Sequence, residues 1–167
     1  MLPELNLPAI GATLAPFVGA LPGSLITRTE VKGWYRHIKK PEWRPPNWAF
    51  GPVWSSLYAS MGYASYLVYR DGGGFSGAAV PLALYGSQLA LNWAWTPVFF
   101  GQHNVKGGFY LICALWVNVA ACGLSFYGVN KTAGYLMAPY LAWLSLATML
   151  NYSIWKMNGD RPSPKEE

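Results

Sequence analysis

An all-α integral membrane protein, a bundle of five transmembrane helices, is the fold class that this sequence predicts. Three observations carry the prediction. Only 11% of the residues are Asp, Glu, Lys or Arg, against about 25% in an ordinary soluble domain. Those few charges are segregated, since none occurs in 5–27, 45–69, 72–105, 107–130 or 132–155, and a spanning helix needs about 20 mostly apolar residues. Finally, the chain has nine Trp, eleven Tyr, 18 Gly and 13 Pro. Trp and Tyr favour membrane interfaces, and Gly and Pro are commoner in membrane helices than in soluble ones. All four score near zero or below on hydropathy scales, which is why the mean hydropathy is only +0.18.

Each charge-free window holds one helix, giving helices at about 6–27, 47–69, 79–101, 106–127 and 133–157. The first window lacks a basic stretch before it, the first Lys or Arg being Arg28, so it reads as a retained span and not as a cleavable signal. The second begins after Pro45-Pro46 and ends at Arg70. The third is long, but Gly72-Gly73-Gly74 and Gly101-Gln102-His103-Asn104 are turn-like ends. Two spans and a turn would need about 40 residues. The fourth holds the only cysteines, Cys113 and Cys122. On a helix they face opposite sides about 13.5 Å apart along the axis, too far for a disulfide, which needs Cα atoms within about 7 Å. The fifth runs to Lys156. One transmembrane domain over 1–157 is therefore expected, followed by a solvated C-terminal tail at 158–167.

Five spans put the loops on alternating sides. One side then holds Arg28, Lys32, Arg36, Lys39, Lys40, Arg44, Lys106, Lys156, Arg161 and Lys165, and the other only Arg70 and Lys131. Basic residues stay in the cytosol, so the first loop and the C-terminus are expected there, with the N-terminus away from it. The net charge of +5 thus points to a membrane surface and not to nucleic acid, because the basic residues sit between spans. Trp34-Tyr35-Arg36-His37-Ile38 suits a short amphipathic turn. Lys40-Pro41-Glu42-Trp43-Arg44-Pro45-Pro46 follows with φ fixed at each Pro. A stiff aromatic loop of this kind suits the closing of one end of a bundle.

No span carries a charge in its middle, where ion-coupled transporters place one. The histidines are His37 and His103 alone, so neither a metal site nor a resident cofactor is expected. The chain lacks G-x-S-x-G, a P-loop and H-E-x-x-H, so catalytic residues are not expected either. Uncharged polar residues do occur in the spans: Gln88, Asn92, Asn118 and Asn151. Gln88 and Asn92 are one turn apart on one face. They are expected to point inward, since an unpaired amide in lipid is costly. Trp54 with Tyr58, Asn92 with Trp95 and Phe99, and Tyr140 with Trp143, Ala147, Leu150 and Ile154 form stripes at helical spacing. Such stripes are usually packing, but Trp at several interior depths argues for a pocket. Walls of Trp and Asn suit a flat, mostly apolar ligand with one or two polar atoms, such as a sterol or a porphyrin. Gly11, Ala15, Gly19 and Gly23 form a small-residue stripe on the first helix, and Ala83 and Ser87 a shorter one on the third. Both suit close helix packing. Leu150-Asn151-Tyr152-Ser153-Ile154-Trp155-Lys156 matches a proposed cholesterol pattern in which a Leu or Val is followed by Tyr and then by Lys or Arg.

Together these residues resemble the translocator protein family, also called the peripheral benzodiazepine receptor and, in bacteria, the tryptophan-rich sensory protein. The resemblance lies in Trp34-Tyr35 with Lys40-Pro41-Glu42-Trp43-Arg44-Pro45-Pro46, in Met61-Gly62-Tyr63-Ala64-Ser65-Tyr66, in Leu89 to Pro97 with Phe99-Phe100-Gly101, and in Pro139-Tyr140-Leu141-Ala142-Trp143-Leu144. It implies a five-helix bundle, usually a homodimer, that binds cholesterol, porphyrins (protoporphyrin, haem) and drug-like ligands among membrane lipids. It further implies the mitochondrial outer membrane, since the tail and the cholesterol pattern look animal. Family pocket positions fall on Trp54, Asn92, Trp95, Trp143, Ala147 and Leu150, and the cholesterol pattern on Leu150, Tyr152 and Lys156. Ala83 and Ser87 replace a Gly pair common in relatives, and Gly107 and Tyr110 stand where mammalian relatives carry Trp and Ala. Two functions follow: a membrane binding or transport protein for cholesterol and porphyrins, or an enzyme or sensor that degrades or reports tetrapyrroles by light-driven oxidation at Trp54 and Trp143.

Overall fold

The computed structural model describes residues 6–162, which are helical without a strand. Helix α1 spans Leu7–Lys32, α2 Trp34–His37, α3 Asn47–Asp71, α4 Gly74–Gly77 and α5 Ala79–Thr96. A π-helical turn, Pro97–Gly101, continues α5, and α6 (Val105–Val129) and α7 (Lys131–Asn158) complete the chain. The helix starts follow capping chemistry. Asn6, Asn104 and Asn130 each accept a hydrogen bond from the backbone N–H three residues on, at 3.1, 2.8 and 3.0 Å, which satisfies donors that the helix itself leaves open. Several helices outrun their charge-free windows. α1 continues past Arg28 to Lys32, because long cationic side chains at a helix end reach out to the headgroups while the backbone stays helical.

α1, α6 and α7 are long and apolar enough to cross a membrane by length and composition. The remaining long helices, α3 and α5, are diluted by Trp, Tyr, Asn and Gln. The five long helices close a ring in which α1 packs on α3, α3 on α7, α7 on α6, α6 on α5, and α5 back on α1. The outside of the ring is greasy. Leu7, Leu14, Val18, Leu21, Leu25, Val117 and Leu124 are all more than half exposed. An apolar exterior of this extent belongs in lipid, not water.

The close backbone approach between α1 and α3 does not come from the glycine stripe of α1. A side chain at Gly62 on α3 would meet the Ala12 carbonyl and lie 2.7 Å from Thr13 Cα, so Gly62 lets α3 press against α1. In the α1 stripe, Gly19 makes room for the indole of Trp93, Gly23 touches Thr96, and Gly11 meets nothing. The indole N–H of Trp93 donates to the Pro16 carbonyl at 3.0 Å. Ala83 and Ser87 face outward, and Ser87 Oγ accepts from Asn118 at 2.8 Å. Cys113 and Cys122 are both free thiols.

Among the described residues the basic side chains gather at the end formed by the C-termini of α1 and α7, α2 and the start of α6, leaving Arg70 and Lys131 at the opposite end. Asp71 there accepts from Arg70 and Asn130, which together hold its carboxyl down at about 2. The chain after α7 is exposed but tied down as far as Pro162. Asp160 O accepts from Val105 N at 3.0 Å, Asp160 Oδ1 accepts from Trp155 at 2.8 Å, and Trp34 donates to Pro162 O at 2.7 Å. The rest of the expected tail lies outside the described residues.

Candidate functional site

α5 brings Gln88 and Asn92 to the inner face one turn apart, as their spacing requires, and both are buried. Tyr140 on α7 lies opposite. Its hydroxyl accepts from Asn92 Nδ2 at 2.8 Å and donates to Gln88 Oε1 at 2.9 Å. Tyr58 on α3 donates to Asn92 Oδ1 at 2.9 Å, and Gln88 Nε2 reaches Met61 S at 3.6 Å. Three helices are thereby joined by one line of polar groups through an otherwise apolar interior. Each member offsets the desolvation of the next.

Toward the basic end the interior opens into a cavity of about 540 Å³. Trp54, Asn92, Trp95, Trp143, Ala147 and Leu150 all line it. The ring of Trp54 meets Tyr140 edge-on at 6.0 Å, and Phe50 meets Trp143 edge-on at 5.6 Å. Trp95 stacks on Phe99 at 4.7 Å and donates to Asn151 Oδ1 at 3.3 Å. The Trp143 indole N–H is buried without a partner among the described residues. α1 adds a wall that the sequence reading did not assign, with Phe17, Gly23 and Thr27. Its stripe suggested helix packing alone, and nothing in it marked the face toward a void.

The three residues of the cholesterol pattern do not share a face. Leu150 is buried and lines the cavity, whereas Tyr152 is 46% exposed and Lys156 is exposed beside it. The ammonium of Lys156 lies 4.8 Å from the Trp155 ring centre and 5.4 Å from that of Tyr152. Tyr152 also packs on Phe109 of α6 at 5.5 Å. The outer face of α7 thus carries an aromatic and cationic surface of its own, separated from the cavity by the helix.

A lid closes the basic end of the bundle. Trp34 and Tyr35 of α2 are buried against Phe99 and Phe100 of the π-helical turn. That turn forms where Pro97 can no longer donate a helical hydrogen bond, and it swings both phenyl rings inward. Trp34 also stacks flat on His103 at 4.3 Å, and His103 Nε2 is 2.9 Å from Glu30 Oε2 on α1. Lys40 donates to the carbonyls of Tyr35, Ile38 and Arg36 at 2.6, 2.8 and 3.4 Å, which pins the loop. Burial and the neighbouring Arg44 push the Lys40 ammonium below its ordinary range, and burial pushes the Tyr35 hydroxyl up against the pull of Arg44. Among the described residues no three His, Cys, Asp or Glu come together as metal ligands would. Aromatic walls, one polar line and a lid suit noncovalent binding of a flat ligand.

Comparison with known proteins places the chain in a family. The sequence model of the TspO/MBR family matches residues 12–156. The chain is similar to the translocator protein of Homo sapiens, 49% identical over 154 residues that cover 90% of each chain. It is 46% identical over 159 residues to the translocator protein of Bos taurus, covering 93% of each. A tryptophan-rich sensory protein of Cereibacter sphaeroides is 37% identical over 146 residues, 87% of this chain and 88% of that one.

Proposed function

Since the chain belongs to the TspO/MBR family, we propose that it binds flat, mostly apolar molecules inside the bilayer: porphyrins and drug-like ligands in the central cavity, and cholesterol on its outer surface. The observation that carries this reading is the convergence of Trp54, Asn92, Trp95, Trp143, Ala147 and Leu150, from three helices, on one cavity. Its volume of about 540 Å³ lies within the range of small-molecule pockets, roughly 300–1,000 Å³. Stacking on Trp faces supplies affinity, and Asn92 and Asn151 offer the few polar contacts that orient a ring. In this reading α3 and α5 cross the bilayer with α1, α6 and α7. The spans number five, the basic end lies in the cytosol, and the membrane is the outer mitochondrial one. A homodimer that moves cholesterol or porphyrin across or along that membrane is the corresponding physiological proposal.

Substitution at Ala147 tests the cavity. Ala147→Thr adds a methyl and a hydroxyl beside Trp143 and Leu150, and overpacking of a tight site costs about 1–3 kcal/mol. Affinity for protoporphyrin and for an aromatic drug-like ligand, read by tryptophan fluorescence of the purified protein, should fall roughly tenfold or more. A well-folded variant with unchanged affinity for both places the ligand elsewhere.

A further inference from the structure

The lid, 33–46, is joined through the chain to α1 at one end and to α3 at the other. Between those ends its hydrogen bonds to the rest of the molecule converge on one place. The backbone N–H of Lys39 donates to Asn158 Oδ1 at 2.8 Å, and Asn158 Nδ2 donates back to the Lys39 carbonyl at 2.7 Å. The indole N–H of Trp34 donates to the Pro162 carbonyl at 2.7 Å. Among the described residues, every hydrogen bond from the lid to a residue outside it, α1 and α3 goes to Asn158 or Pro162. The packing of Trp34 and Tyr35 on Phe99 and Phe100 adds adhesion, but apolar contact is non-directional and does not fix where the lid sits.

The gripping residues are anchored on α6 and α7. Asn158 is the last residue of α7, and its Nδ2 also donates to the Ile154 carbonyl at 2.8 Å. Gly159 follows with φ +81°, a conformation that suits glycine. Asp160 O then accepts from Val105 N and Lys106 N at 3.0 and 3.3 Å, two donors that the start of α6 leaves open. Neither Asn158, Asp160 nor Pro162 lines the cavity, whereas Tyr35 and Arg44 of the lid do. The clasp therefore acts on a ligand only through the lid. Lys39 is exposed and Asn158 half-buried, so their two bonds compete with water, and each is weak enough to open and reform.

We infer that Asn158 and the segment after it, as far as Pro162, are the latch of the lid, and that Asn158 is a positioning residue which sets how fast a ligand enters and leaves the aromatic cavity. The inference rests on the cavity reading above and adds to it a route, past the lid, and a control on its rate. Unlatching speeds entry and exit by the same factor. It leaves the affinity where it was, because the latch touches no ligand and holds the lid equally over a full and an empty cavity.

The full-length protein in phosphatidylcholine nanodiscs, with protoporphyrin as the probe, tests this. Stopped-flow quenching of tryptophan fluorescence reads the association rate. Transfer of bound porphyrin to an excess of empty nanodiscs reads the dissociation rate. In Asn158→Ala both rates should rise roughly fivefold to tenfold for the two lost hydrogen bonds, with Kd unchanged within about twofold. Truncation after Gly159 removes the Pro162 carbonyl that holds Trp34 and should raise both rates as well, whereas truncation after Pro162 should change neither. Unchanged rates in either unlatched variant, each checked to be folded by its thermal midpoint, overturn the inference. So does a faster dissociation with unchanged association, since Asn158 then serves the packing of the site and not its gate. Ala147→Thr keeps this apart from failure of the cavity reading. If it weakens protoporphyrin while the unlatched variants keep their rates, the latch alone fails; if it leaves Kd unchanged, the cavity reading falls.

Discussion

The hydroxyl of Tyr140 accepts from Asn92 and donates to Gln88, so its removal strands two buried amides at once. Each stranded group costs about 1–3 kcal/mol. Tyr140→Phe should therefore lower the thermal midpoint of the detergent-solubilised protein well beyond Tyr58→Phe, whose hydroxyl has a single partner at the edge of the cavity. Similar midpoints for the two variants would show that the polar line does not act as a unit. The inward face of Gln88 and Asn92 was legible in the sequence, because two amides one turn apart in a span have to find partners. The partner was not. A Tyr inside an apolar run reads like any interfacial Tyr, and only the meeting of α3, α5 and α7 gives its hydroxyl a place. Likewise, the six cavity residues lie on helical stripes that read as ordinary packing until the family resemblance singled them out, whereas nothing singled out the α1 wall, since small residues look the same whether they face a neighbour or a void.

At the scale of elements, α7 presents two different surfaces. Leu150 points into the cavity, and Tyr152 and Lys156 point out beside Trp155. Residues two apart on a helix diverge by about 160°, which is why a short linear pattern in the sequence becomes two sites in space. Tyr152→Ser and Lys156→Ala should each weaken cholesterol binding and leave porphyrin affinity nearly unchanged, and Leu150→Ala should do the reverse. Paired titrations of the three purified variants check this. Loss of both ligands in all three would mean one shared pocket or a general loss of packing. The extents of the elements were less legible than their helical character. Absence of charge marks the stretch that lies in hydrocarbon, whereas a helix ends where its backbone hydrogen bonds end, several residues later in α1. The π-helical turn after α5 left only Pro97 as a sign, and a proline predicts a break without its geometry.

The described residues are polarised, with all their Lys and Arg except Arg70 and Lys131 at the lidded end. The cytosolic, outer-mitochondrial placement proposed for that end on the positive-inside rule predicts that protease added to intact mitochondria should remove a C-terminal tag and spare an N-terminal one. The opposite pattern would invert the bundle. The order of the ring has a further consequence, for biosynthesis. α7 closes the ring by packing between α3 and α6, yet it leaves the ribosome after the other four long helices. Until it arrives, α3 and α6 have an open flank, and Gln88 and Asn92 face that gap without Tyr140. On the five-span reading proposed above, the nascent chain passes through an interval as a four-helix arc in which Asn92 Nδ2 and Gln88 Oε1 each lack the Tyr140 partner, the species that membrane chaperones and proteases would recognise. The arrival of α7 makes closure of the ring and release from that surveillance a single event.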